Sequence, residues 1–308
     1  MIKKILILFI CLSCQLAKGQ ERPIYFSGGF GFSDLFRVNA DGSGTQRLTV
    51  KESRGEYQPQ VSPDGKYVVF NTYRYGGWKL AIAELENGKI KKGWVRKLVG
   101  SSKGYEYDAN WSADGKSVAF VGFPSGRSGR RQLFLVNPAD GKAEQLTNTA
   151  YGHYAPSFSP DGKSLYYQAA VGEVYGILRM DIASRKTEVI SSSEDAHEVA
   201  PALSPDGSQL AFYRVHADES VTVHVLDLKA KTDKLIYGKK EGEKSFLNTA
   251  WDTPLFSYSI GWSSGGDRFV FTKHHGESIF ELYIATPKTG KVKQITSLKE
   301  ASTQPSWY

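Results

Sequence analysis

Short runs of strand-like alternation recur along the chain, each opened by a cluster of Pro, Asp, Gly and Ser. Examples are Tyr67-Val68-Val69-Phe70, Ser117-Val118-Ala119-Phe120, Leu165-Tyr166-Tyr167, Leu210-Ala211-Phe212 and Phe269-Val270-Phe271. A period of two bounded by turn formers predicts β-strands joined by tight turns. No segment holds an apolar period of 3.6, so helix is expected to be minor.

One phrase precedes each of these runs. It reads Val61-Ser62-Pro63-Asp64-Gly65-Lys66, then Trp111-Ser112-Ala113-Asp114-Gly115-Lys116, Phe158-Ser159-Pro160-Asp161-Gly162-Lys163 and Leu203-Ser204-Pro205-Asp206-Gly207, with a looser copy at Trp262-Ser263-Ser264-Gly265-Gly266-Asp267. Its chemistry is that of a hairpin turn: proline presets φ, aspartate caps the local backbone, and glycine takes the positive φ that closes the turn. The serines at 62, 112, 159, 204 and 263 are spaced as four-stranded propeller blades are. A third strand is visible in Leu133-Phe134-Leu135-Val136, Ile177-Leu178-Arg179-Met180, Val223-His224-Val225-Leu226 and Leu282-Tyr283-Ile284. A fourth ends in Gln145-Leu146-Thr147 or Gln294-Ile295-Thr296.

The two ends complement each other. The chain opens on a second-strand pattern, Ile24-Tyr25-Phe26-Ser27, followed by Leu35-Phe36-Arg37-Val38, the turn Asn39-Ala40-Asp41-Gly42, and Gln46-Arg47-Leu48-Thr49. It closes on Gln304-Pro305-Ser306-Trp307-Tyr308, which approaches a turn that never follows. The expected fold is therefore all-β: a six-bladed β-propeller of four-stranded antiparallel blades, closed by the C-terminal strand joining the N-terminal blade. Closure removes the exposed sheet edges of an open array.

The Ser-Pro-Asp-Gly copies and the segment Asn39-Ala40-Asp41-Gly42…Arg47-Leu48-Thr49 resemble the WD-like repeats of TolB-type propellers, over residues 24 to 308. The resemblance implies the propeller fold, and a function only loosely, since propellers host many activities. TolB proper carries an α/β domain ahead of its propeller, used in Tol-complex contacts. Here the first strand pattern starts about four residues after a proposed cleavage point, so that domain is not expected. Neither is a hydrolase domain of the prolyl-peptidase kind.

The first residues change the compartment. Lys3 and Lys4 precede an apolar run, Ile5 to Leu12, too short to span a bilayer, and Ala17-Lys18-Gly19 ahead of Gln20 fits a signal-peptide cleavage site. The domain reading is a signal peptide at 1–19 and a TolB-like propeller at 20–308. The expected home is periplasmic or secreted, with lipid anchoring through Cys14 the rival. Both cysteines, Cys11 and Cys14, fall in this segment, so the mature chain would have no thiol chemistry. Losing Lys3, Lys4 and Lys18 takes the net charge from +7 to +4. With no nucleic-acid motif beside it, so mild a charge gives no footprint for nucleic acid.

Six residues before each repeat serine stand Glu56, Glu106, His153, Glu198 and Ser257, with Ser302 in the closing strand. First strands line a propeller's channel, so these residues are expected to ring its mouth. The loops between second and third strands gather on the same face. They offer Tyr73, Arg74, Tyr75 and Trp78; Phe123, Arg127, Arg130 and Arg131; His216; and His274 with His275. Three carboxylates and an imidazole suit a divalent cation or a cationic group, or general acid–base work. The same residues equally serve to cap strands and tie blades together. No cofactor is implied; a divalent cation in the channel is the one inorganic ligand considered. Adjacent His274 and His275 point to opposite faces of a strand and do not form a metal pair. Gly261-Trp262-Ser263-Ser264-Gly265 matches G-x-S-x-G, but that motif works at a strand-to-helix turn and Ser263 is a repeat serine.

The first functional expectation is a monomeric, non-enzymatic module that binds a protein, peptide or glycan of the cell envelope at the channel mouth. The alternative is a metal-dependent lyase or hydrolase acting on an acidic oligosaccharide, as some propellers of similar blade number are. Against it, only His153 of six histidines falls on the ring.

Overall fold

The computed structural model describes residues 21–29, 33–49, 55–100, 104–124, 129–218, 220–238, 258–275, 279–298 and 301–307. These form six four-stranded antiparallel sheets, each a blade. Blade 1 is made of the closing strand Ser302–Ser306 with Ile24–Gly28, Asp34–Val38 and Gln46–Arg47. The others follow in chain order from inner to outer strand, with first strands Glu56–Val61 (blade 2), Glu106–Trp111 (blade 3), His153–Phe158 (blade 4), Ala196–Leu203 (blade 5) and Ile260–Trp262 (blade 6). Tyr25 stands opposite Ser306 and Ser27 opposite Thr303, so the C-terminal strand completes the N-terminal blade as expected. No described helix is long and apolar enough to cross a membrane. The segment 1–19 read as a signal peptide, with Cys14, lies outside the described residues, as do Ser257 and Arg127.

The repeated turn works through its side chains. In blade 3 the Ser112 hydroxyl donates to Asp114 Oδ1 at 2.7 Å and accepts from the Ser117 amide at 3.0 Å, while Asp114 Oδ1 takes the Lys116 amide at 3.1 Å. Gly115, at φ +69°, donates to the Ser112 carbonyl. Blade 6 has no acid at the usual place, and Asp267 reaches back to the Ser263 hydroxyl at 2.9 Å instead. Ser263 is thus a buried turn residue beside a hairpin, with no strand-to-helix elbow around it.

The core lies between blades. One cluster joins Val69, Leu80 and Ile82 of blade 2 to Ala109, Trp111 and Phe120 of blade 3. The closure seam is built likewise, from Ile24, Phe26 and Val38 against Val270, Leu282, Ile284 and Trp307. The buried indoles meet their one polar need at blade seams: Trp111 Nε1 donates to the Gln60 carbonyl at 3.0 Å, and Trp262 Nε1 to the Ala202 carbonyl at 2.9 Å.

Each of five first strands carries the same bulge. Gln58 and Pro59 stand together opposite Phe70, where one residue would face one in a regular ladder. Blades 3, 4 and 5 repeat this at Asp108-Ala109, Ala155-Pro156 and Ala200-Pro201, and blade 1 at Gln304-Pro305. The first residue of every pair is left-handed, with φ between 46° and 55°. A non-glycine residue there costs on the order of 1 kcal/mol, and proline, lacking an amide to donate, is tolerated because a bulge leaves that amide out of the ladder.

A candidate binding face around the channel

The bulge decides what lines the channel. Its wall is formed by Gln58, Asp108, Ala155 and Ala200, four before their turn serines, and by Gln304 of the closing strand, with Gln60, Asn110 and Ser157 next along. These side chains tie neighbouring blades. Gln58 Nε2 donates to Asp108 Oδ1 at 3.0 Å, and Asp108 Oδ2 accepts the Ala155 amide at 3.2 Å. Gln304 Oε1 takes the Ser27 hydroxyl at 3.0 Å and the Gln58 amide at 3.3 Å. Asn110 accepts the Phe158 amide and Ser157 the Leu203 amide, both at 3.1 Å. Burial pushes the Asp108 carboxyl above its usual range, against the hydrogen bond from Ala155 and the charge of Arg131. The space left at this level of the channel is about 80 Å³. Ligand sites occupy about 300–1,000 Å³, so this stretch of the channel holds water-sized guests.

The residues at the strand starts are engaged one by one. The Glu56 carboxylate receives the Arg74 guanidinium, its Nε at 2.8 Å. Glu106 bolts blade 3 to blade 2: Oε2 accepts the Leu80 amide at 2.8 Å, and Oε1 lies 3.5 Å from buried Lys79 Nζ. Burial holds the Lys79 ammonium below its ordinary range, with Glu106 opposing that shift. The His153 ring lies between Tyr151 and Tyr167 with Nδ1 3.3 Å from the Arg131 carbonyl, and burial lowers its pKa. Glu198 pairs with Arg214 at 2.6 Å, and Arg214 with Asp233 at 2.9 Å. Ser302 is buried at the start of the closing strand. Among the described residues no three His, Cys, Asp or Glu gather as a metal site.

Above this layer, aromatic rings run around the face where the first strands begin. Trp78 packs on Tyr57 at 4.7 Å, Tyr73 at 4.8 Å and Tyr107 at 6.1 Å between centroids. Tyr107 continues to Phe123 at 6.0 Å. The Arg131 guanidinium then bridges blades, 4.8 Å over Tyr107, 5.7 Å over Phe123 and 5.0 Å over Tyr154. Tyr154 meets Tyr175 at 5.6 Å, and Tyr175 meets His197 at 5.5 Å. The result is a continuous crescent on blades 2 to 5. Its members are half-buried apart from buried Tyr107 and exposed Tyr73, which is 44% accessible. Burial pushes the Tyr107 and Tyr175 phenols up to about 12, so both remain neutral hydrogen-bonding groups.

Comparison with known proteins agrees with this architecture. The family model for the TolB beta propeller domain matches residues 89–255, more than half of the chain. The chain belongs to the TolB β-propeller family. A TolB homolog of Chlorobium chlorochromatii is 29% identical over 147 residues, which make up 48% of this chain and 31% of that protein. The Tol-Pal system protein TolB of Francisella tularensis is 24% identical over 242 residues, 64% of this chain and 54% of its own length. The chain thus spans about a third to a half of the curated relatives it matches. The crystal structure of TolB from Acinetobacter baumannii superposes with a TM-score of 0.73 at 16% identity, over 94% of this chain and 67% of that one. At that identity the likeness is one of fold.

In this TolB-type propeller the rim residues divide. Arg74 is bound to Glu56, while Tyr75 packs on the apolar cluster between blades 1 and 2. Trp78 is the hub of the crescent. His216 Nε2 lies 3.0 Å from the Thr222 hydroxyl on blade 5, and the His274 ring stacks on Phe280 at 4.5 Å on blade 6, both outside the crescent. The crescent's inner members, Tyr57, Tyr107 and Tyr154, sit five before the turn serine, one place from the ring read in the sequence. A tyrosine recurring at that place was the available signal.

Proposed function

We propose that this chain is an extracytoplasmic binding module that captures a protein or peptide of the cell envelope on the face where its first strands begin. The observation that carries the reading is Arg131, stacked among Tyr107, Phe123 and Tyr154 at the middle of an accessible aromatic arc. Tyr, Trp and Arg dominate the energetics of protein interfaces, because they offer large rigid contact area beside fixed hydrogen-bonding groups. The constriction of about 80 Å³ between the bulges is too small for such a partner, so recognition on this face falls to the rim. The kinship with Tol-Pal system proteins supports an envelope partner, and the leader at 1–19 supports export to the periplasm. Tyr73→Ala combined with Arg131→Ala is expected to lower capture of the partner from envelope extract at least about tenfold, the cost of one interface hot spot. Its melting temperature should stay near the parent's. Undiminished capture by the double variant would remove the reading.

A further inference from the structure

On the opposite face, where the Ser-Pro-Asp-Gly turns lie, blades 2 and 3 part to leave a cleft of about 530 Å³. One departure from the repeat frames it. The outer strand of blade 2, Lys89–Lys97, has nine residues, longer than any other outer strand, and carries Trp94, which is 54% accessible.

We propose that this cleft binds a neutral saccharide. Trp94 and half-exposed Tyr67 give it aromatic walls onto which the C–H face of a sugar ring packs. Asp64, Asp114 and Glu84 supply hydroxyl acceptors, and Arg96, which also donates to the Pro138 carbonyl, supplies a donor. The Ser112 hydroxyl keeps the Asp114 carboxyl below its ordinary range, so it is an ionised acceptor. The three carboxylates already face lysines: Lys66 at 3.7 Å from Asp64, Lys116 at 3.8 Å from Asp114 and Lys91 at 3.0 Å from Glu84. Opposite charges thus offset one another except at Arg96, whose guanidinium is engaged by the Pro138 carbonyl, so no cluster of one sign is left to draw an ionic ligand. An apolar ligand would strip water from these charged groups without replacing its hydrogen bonds. A polyhydroxylated ring with one apolar face satisfies both kinds of wall, and the volume admits a short oligosaccharide.

Calorimetric titration with neutral trisaccharides of glucose, mannose and N-acetylglucosamine tests this, with trigalacturonic acid as the charged comparison. At least one neutral sugar is expected to bind with a dissociation constant of about 1 mM or tighter. Trp94→Ala should weaken binding at least about tenfold. Tyr67→Ala should do the same by removing the second aromatic wall, whereas Tyr73→Ala on the far face should leave binding unchanged. The proposal is overturned if no neutral sugar binds at about 10 mM, if only the acidic one binds, or if both cleft variants bind like the parent.

Discussion

Asp108 is a carboxylate in the channel wall, and its surroundings set a pH dependence. Burial raises its pKa in the folded protein above the unfolded value. A carboxyl so shifted binds protons more readily when folded, so its contribution to stability falls as pH rises between those two values. Asp108→Asn removes that titration. In urea unfolding, the stability of the variant relative to the parent should improve from acid to neutral pH. A pH-independent difference would mean that Asp108 ionises freely. The turn aspartates run the other way. Serine hydroxyls hold Asp114, Asp161 and Asp206 below their ordinary values. Their stabilising contribution is present above the unfolded carboxyl pKa and is lost as pH falls through the folded one.

Strands and turns were legible because their chemistry is local. Ser62, Asp64 and Gly65 fix a hairpin by bonds within five residues of one another, and the copies repeat those bonds. The face that each first-strand residue presents was not legible. Counting along an ideal strand put Glu56, Glu106 and His153 on the channel mouth, but the bulge at Gln58-Pro59 and its copies inserts one residue and shifts the alternation. The prolines at 59, 156, 201 and 305 mark that bulge, and they read as such only once the register is known. The crescent was harder still, since Trp78, Phe123 and Arg131 are brought beside the strand tyrosines by packing between blades. At the seam between blade 6 and the closing strand, a Cβ on Gly261 would lie 2.6 Å from the Trp307 amide nitrogen. Backbone cannot yield as a side chain does, so Gly261→Ala should cost about 1–3 kcal/mol in thermal or urea unfolding. A cost near zero would mean that the seam is loose.

At the scale of the whole molecule, the propeller separates its two faces. Indoles and Ser-Pro-Asp-Gly turns close one side, where the channel widens to about 410 Å³ between Trp111, Phe158, Trp262 and Trp307, all buried in blade seams. The other side spreads its aromatic groups outward around a guanidinium. Function therefore turns on which face meets the partner. The most direct measurement places a photo-crosslinking amino acid at Tyr73 in the crescent and, separately, at Leu235, an exposed position on the outer strand of blade 5. After irradiation in intact cells, we expect one dominant protein adduct from position 73, none from 235, and loss of the first when Arg131→Ala is added. The same adduct from both positions, or one indifferent to Arg131, would contradict the account.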